Sequence, residues 1–388
     1  MSDAVRFTTR EIGSLGKPSW RVKAFAGRPL GEDDVREAER WGKRLEVEGH
    51  EELVEMLGNG SLDLPTVDDW AARYGLRLLE QAGLDVVYDG EQRRTEMYDH
   101  VAAFADGFEP RGTVRSFDNK YYAKAAVVER PSAAGPQDVE EFRFVAGHTD
   151  RPVKVPLTGA YTMVDWSYDE HYARAGALGG SAARRYEARR EFVEDVAERV
   201  IRPNVVGLVE AGADWIQIDE PAATTKPAEV PLVVLGFNVA LRDVGAKKRS
   251  MHICFSDYSA LWPHVLELED CLELQLEFAN RDSRELGTND EDRPGYADTL
   301  ALFAEQGYPG VGLGVLDIHS DFVEPAELVR DRILYAVEAL GGPERIQVNP
   351  DCGLRTRSWD VVYEKLANMV EGARLAEDVL NGAHAGRA

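Results

Sequence analysis

Eight short apolar segments recur along the chain, and each runs into a cluster of polar residues. They cover 10–15, 84–88, 152–156, 214–218, 248–255, 272–278, 311–316 and 345–348. Most are followed by a helical pattern, as at 32–57, 67–82, 181–211, 228–243, 325–340 and 359–380. Apolar strands alternating with amphipathic helices specify parallel strands joined by crossover helices. Eight such units predict an α/β fold of the (β/α)8 TIM-barrel type, with residues 1–388 as one domain. A doubly wound open sheet is the alternative, but no glycine-rich phosphate loop follows the first strand. The stretch 113–146 breaks the pattern. It alternates apolar and polar residues around 131–135 and predicts a β-hairpin insertion.

A barrel of this kind carries its chemistry at the C-terminal ends of its strands, so the polar residues that end each segment are the candidates. The fifth segment contains Met251-His252-Ile253-Cys254. In a strand, side chains i and i+2 share a face, so His252 and Cys254 reach one point. An imidazole and a thiolate at one point suit zinc. On its own, histidine-x-cysteine is more often a satisfied core pair. Cys352 strengthens the metal reading, since it follows the last strand within Asn349-Pro350-Asp351-Cys352-Gly353-Leu354, and so does Glu277, near the end of the sixth. Cys271 opens a buried strand and reads as a small core residue.

Composition narrows the setting. Cys254, Cys271 and Cys352 are too few for a disulfide framework, which predicts a reducing cytoplasm. No apolar run is long enough to span a bilayer, and residues 1–6 lack the pattern of a signal peptide, so no membrane is expected. A net charge of −24 argues against nucleic-acid binding, which needs a basic surface. A saline cytoplasm and an ordinary acidic enzyme both remain open as its origin.

Seven motifs then stand in order. They are Arg10-Glu11-Ile12-Gly13-Ser14, Gly90-Glu91 through Arg94-Thr95-Glu96-Met97, Leu157-Thr158-Gly159 through Trp166-Ser167, Ile216-Gln217-Ile218-Asp219-Glu220-Pro221, Met251-His252-Ile253-Cys254, Asp317-Ile318-His319-Ser320, and Val348-Asn349-Pro350-Asp351-Cys352-Gly353-Leu354-Arg355-Thr356-Arg357. With them the chain resembles the catalytic barrel of the cobalamin-independent methionine synthases. The likeness runs from about residue 8 to about residue 375. The resemblance implies zinc held by His252, Cys254, Glu277 and Cys352. It implies homocysteine held by Ile12, Gly13 and Ser14 through backbone and hydroxyl, with Glu91 and Asp219 on its ammonium. It makes His319 the proton donor and Trp166 a donor-binding residue. On the residues alone, Glu91 reads equally as a surface carboxylate, Asp219-Glu220-Pro221 as a capped turn, and His319 and Trp166 as core.

Two departures from the family pattern bear on the methyl donor. Asp118-Asn119-Lys120-Tyr121 stands where the family has an arginine-cysteine pair, and Thr225 where it has a glutamate. The complete folate-dependent enzymes also carry two barrels. A shorter single-barrel branch, held to use a corrinoid, matches this length better. The expectation is therefore methylcobalamin or a methylated corrinoid protein as donor, with 5-methyltetrahydrofolate or a related pterin as the alternative. A zinc-thiol alkyltransferase acting on coenzyme M is a further alternative, but a sulfonate thiol has no ammonium for Glu91 and Asp219. A zinc-stabilised accessory protein is disfavoured, because closed structural sites lack a carboxylate ligand. Zinc would deprotonate a thiol whose ordinary pKa is about 8.5. Glu277, the weakest ligand of the four, is the one expected to give way to substrate sulfur. A general acid at His319 is needed for a pterin amine leaving group; with methylcobalamin, His319 need only bind or orient substrate.

Overall fold

A computed structural model of the chain describes residues 4–115, 121–173, 181–308 and 310–385. Nine strands are assigned among them. β1 (Ala105–Arg115) and β2 (Tyr121–Ala133) pair antiparallel, and β4 (Tyr168–Asp169) adds to β2. The other six form one parallel sheet in the order β3 (Lys154–Thr158), β5 (Trp215–Asp219), β6 (Lys248–Ile253), β7 (Glu273–Leu276), β8 (Val311–Gly314) and β9 (Ile346–Asn349). Parallel bridges carry the sheet onward from β9: Thr9 pairs with Val348, Arg10 with Val86, and Val87 with Val153 beside β3. Hydrogen bonds from Arg10 N–H to Val348 O (3.1 Å) and from Lys154 N–H to Val87 O (3.2 Å) run along those seams. The sheet therefore returns on itself as an eight-segment ring, and the predicted (β/α)8 barrel is the observed architecture.

The ring strands are covered on both faces, and their outward positions are apolar. Their inward positions, every second residue, are nevertheless polar. Arg10 meets Glu273 at 2.6 Å with both side chains buried. Gln275 donates to Ser250 Oγ at 3.1 Å, and Trp215 Nε1 donates to the same oxygen at 3.1 Å. Gly312 makes room for this packing. A Cβ there would lie 2.5 Å from Gln275 Cγ and 2.7 Å from Asn349 Oδ1. Buried charge in pairs with hydrogen-bonded neighbours is tolerated; a lone charge would not be.

The helices form the outer layer. Leu64–Gln81 begins at Asp63, whose carboxylate accepts the Thr66 N–H at 2.9 Å, as an N-cap should. Ala182–Val196 runs through a π turn (Ala197–Ile201) into Arg202–Glu210. The predicted 32–57 helix is two helices, Glu32–Arg44 and His50–Asn59. Tyr258–Leu261 and His264–Glu267 are two 3-10 turns, and Ala297–Gln306 is a helix that the pattern did not reveal.

The insertion needs correction. The hairpin spans 105–133, not 113–146, and the breakers at 131–135 end β2 rather than turn the hairpin. Val139–Ala146 is a helix, because Val139, Phe142 and Val145 recur every third residue and bury one face. No helix among the described residues is long and apolar enough to cross a membrane.

Candidate active site

The C-terminal ends of the ring strands open into a cavity of about 150 Å3. His252, Cys254 and Cys352 line it, and their ligand atoms all lie within 4.8 Å of one another. β6 supplies His252 and the residue just past its end supplies Cys254, while the turn after β9 brings Cys352 across the ring. His252 Nδ1 faces Gln275 O at 3.1 Å. A carbonyl only accepts, so Nδ1 carries a proton, and Nε2 is the nitrogen available to a metal once its own proton leaves. Nε2 lies 3.4 Å from Cys352 Sγ. Ligands of a tetrahedral zinc at ordinary bond lengths are about 3.6 Å apart, so this pair stands at a metal-ligand spacing.

The two thiols differ in acidity. The hydrogen bond to Cys352, together with burial, pushes the Cys254 thiol up. The same contact, helped by His252, holds Cys352 down. A soft, partly ionised sulfur pair beside an imidazole is a donor set for a borderline-soft cation.

Glu277 stands outside this three-residue group and off the cavity lining. It is buried, and its Oε2 accepts from Phe255 N–H (3.0 Å) and Asn280 Nδ2 (3.1 Å). Among the described residues its Oε1 has no hydrogen-bond partner and lies 3.9 Å from His319 Nε2, which also has none. A buried carboxylate oxygen left without a partner near these thiols is compatible with a cation at the site. Asp351 holds this corner. Its carboxylate accepts the N–H groups of Phe278 (2.9 Å), Ala279 (3.0 Å) and Asn280 (2.7 Å), so the turn after Glu277 is tied to the residue before Cys352.

Across the cavity lie Ile12, Gly13, Ser14, Glu91 and Asp219, all of them lining residues. Glu91 takes a left-handed backbone (φ 56°), with its N–H on Asp89 Oδ1 at 2.8 Å. Its carboxylate then lies over Gly13, where a Cβ would come within 2.6 Å of Glu91 Oε1. Burial pushes the Asp219 carboxyl up to about 7, with Glu91 adding to the rise and His252 opposing it. His319 and Trp166 also line the cavity. The neighbouring Glu277 raises the His319 pKa. Trp166 stacks on Tyr122 of β2 (centroids 5.3 Å, planes 29° apart), so the hairpin braces one cavity wall.

The structure thus gathers eight predicted residues round one cavity besides Cys254 and Cys352, with Glu277 just behind it. Sequence reasoning missed eight further lining residues, among them Glu96, Met97, Arg355 and Thr356. These four stand inside the quoted motifs, Glu96-Met97 at the end of the Glu91 motif and Arg355-Thr356 within the Cys352 motif, so membership of a motif was the available signal. Of the two departures, residues 118–120 lie outside the described residues, while Thr225 Oγ1 bonds Asp165 Oδ2 at 3.1 Å. Cys271 is core, its thiol pushed up to about 12 by burial.

Fold and cavity together define a (β/α)8 enzyme with a thiol-rich, metal-competent centre at the C-terminal ends of its strands. Residues 70–375 match the family model of the cobalamin-independent synthase catalytic domain. The methionine synthase of Thermoplasma acidophilum is 39% identical over 370 residues, covering 93% of this chain and 96% of that protein. The methionine synthase of Pyrococcus furiosus is 32% identical over 370 residues, covering 94% and 91%. The solved B12-independent methionine synthase of a Shewanella species, in complex with selenomethionine, shares the fold with a TM-score of 0.70 at 23% identity, over 97% of this chain and 99% of that one. The chain belongs to the cobalamin-independent synthase catalytic-domain family, and it is an enzyme of that family. This membership corrects the expectation of methylcobalamin as donor and of a corrinoid protein as partner. The reaction of the family is defined by independence from cobalamin, and the short single-barrel length alone does not outweigh it.

Proposed function

We propose that the chain transfers a methyl group to the thiol of L-homocysteine, forming methionine, with 5-methyltetrahydrofolate or a related methylated pterin as donor. One observation carries the reading: His252, Cys254 and Cys352 face Glu91 and Asp219 within a single small cavity. A substrate that needs both halves has a thiol at one end and an ammonium at the other. The relatives named methionine synthase support the same choice. The whole chain acts as one barrel, and three free cysteines suit a reducing cytoplasm.

Zinc fits the donor set of His252, Cys254, Cys352 and Glu277, and when bound it supplies a thiolate at neutral pH. The protein's own groups do the rest. Glu91 and Asp219 pair with the substrate ammonium, and the Ile12–Ser14 backbone and Ser14 hydroxyl take its carboxylate. The flat wall of Trp166 on Tyr122 offers a face for a pterin ring. The substrate sulfur attacks the methyl carbon in line, the carbon–nitrogen bond breaks, and its electron pair goes to the pterin nitrogen. His319, with its raised pKa, protonates that nitrogen.

The test is methionine formation by the zinc-loaded protein, with 5-methyltetrahydrofolate and methylcobalamin run side by side. Methionine from the pterin is expected. Methionine from methylcobalamin alone would overturn the donor and keep the acceptor; methionine from neither would overturn the acceptor as well.

A further inference from the structure

Beneath the cavity floor one buried ammonium organises both halves of the acceptor site. Lys154 is fully buried on β3, and its Nζ donates to Glu11 O (2.8 Å), to Ile12 O (2.8 Å) and to Gln217 Oε1. A lysine ammonium has three protons and no acceptor, so all of its capacity is used. Those contacts also decide how Gln217 is turned. The atom facing Lys154 must be the amide oxygen, which leaves the NH2 for the other side. That NH2 donates to Ile12 O at 2.8 Å and to Asp219 Oδ1 at 2.6 Å. Gln217 and Asp219 are two apart on β5 and so share the inward face. Glutamine alone satisfies the position. Glutamate would set a carboxylate against Asp219 and a carbonyl, and leucine would strip three buried partners at once.

We infer that Gln217, oriented by Lys154, is a positioning residue for the acceptor substrate. It locks one oxygen of Asp219 and the Ile12 turn into a single unit, so that the other Asp219 oxygen is presented to the substrate ammonium. The inference rests on the reading that Asp219 takes that ammonium.

The experiment uses the zinc-loaded protein and compares homocysteine with 4-mercaptobutyrate, the same thiol acid without its amino group. In Gln217→Leu and Gln217→Glu the KM for homocysteine should rise roughly ten- to hundredfold, as expected for loss of a hydrogen bond to a charged group, with kcat falling less. The inhibition constant of 4-mercaptobutyrate should move several-fold less, since it keeps the carboxylate that the Ile12–Ser14 turn takes but lacks the ammonium for Asp219. Gln217→Glu keeps the acceptor for Lys154, so it tests the idea even where Gln217→Leu does not fold. Equal losses for both compounds would overturn the inference, because a general structural defect does not distinguish them. A wild-type KM in Gln217→Glu would overturn it too. Asp219→Asn separates the two levels. If it leaves the homocysteine KM unchanged, the ammonium reading itself fails; if it raises KM while Gln217→Glu does not, only the positioning role fails. In the double variant, KM should be no worse than in the more impaired single variant, as for residues acting in series.

Discussion

From β3 to β9 the ring is a continuous parallel ladder, whereas the arc through residues 9–10 and 86–87 is held by single bridges. The candidate metal ligands come from, or directly follow, strands of the continuous arc. The Ile12–Ser14 turn and Glu91 come from the bridged one. The division has a physical basis. Converging side chains need Cα–Cβ directions fixed by a regular ladder, while a backbone that is to face a ligand must leave the ladder, since paired N–H and C=O groups are already spent. The turn of the bridged arc holds Gly90 and Glu91 in left-handed conformations (φ 71° and 56°), and the turn after β6 holds Phe255 in one as well (φ 51°). Asp219 lies between the two modes. It is a side chain of the regular arc tied by Gln217 to the irregular one.

The largest effect should come from the regular arc. Cys352→Ser is expected to lose zinc and methionine formation together, by more than about a hundredfold in activity, because even outer-shell partners of a metal cost ten- to hundredfold. Metal analysis beside the assay checks it, and an active metal-free variant would end the metal reading. Gly13→Ala sharpens the contrast. The added Cβ meets Glu91 Oε1 at 2.6 Å, so homocysteine KM should rise at least about tenfold while zinc content stays at the wild-type level. Loss of zinc in this variant would show that the two arcs are not separable.

A smaller effect is a pH dependence set by Asp219. Its carboxyl titrates near 7 because it is buried. Below that pH it is neutral and gives a substrate ammonium little, so kcat/KM for homocysteine should rise through about pH 7, and Asp219→Asn should flatten that limb. Linkage gives the opposite sign for folding. The native carboxyl keeps its proton up to about 7 while the unfolded one loses it near 4. The contribution of this group to stability therefore declines as pH rises from about 4 to about 7, which ligand-free denaturation at several pH values reads directly. The mildest change is Tyr122→Leu. Trp166 loses its stacked neighbour, so KM for the pterin donor should rise about threefold, with homocysteine KM unmoved. A change in homocysteine KM would mean that the hairpin wall serves the acceptor instead.

Much of this molecule was legible in the chain. All eight ring segments appear within a few residues of the apolar runs that predicted them, because a strand buried on both faces has to be apolar along its outward side. His252 and Cys254 were legible because a period of two is a property of any strand. The hairpin was misplaced because alternation also occurs where a strand borders a short helix, and only pairing distinguishes them. Val139–Ala146 and Ala297–Gln306 have too few turns for their periodicity to stand out.

The sequence by itself determined which residue types end each strand, and with them the ring and the thiol–imidazole set. Tertiary structure alone decided how those ends meet. Cys352 lies 100 residues from His252, yet its sulfur comes within 3.4 Å of the imidazole. Gln217 acquires a role only because Lys154, 63 residues away, fixes which end of its amide faces Asp219. A local pattern carries direction along one strand; ring closure supplies the distances between strands, and hydrogen-bond donors and acceptors are assigned only once those distances exist.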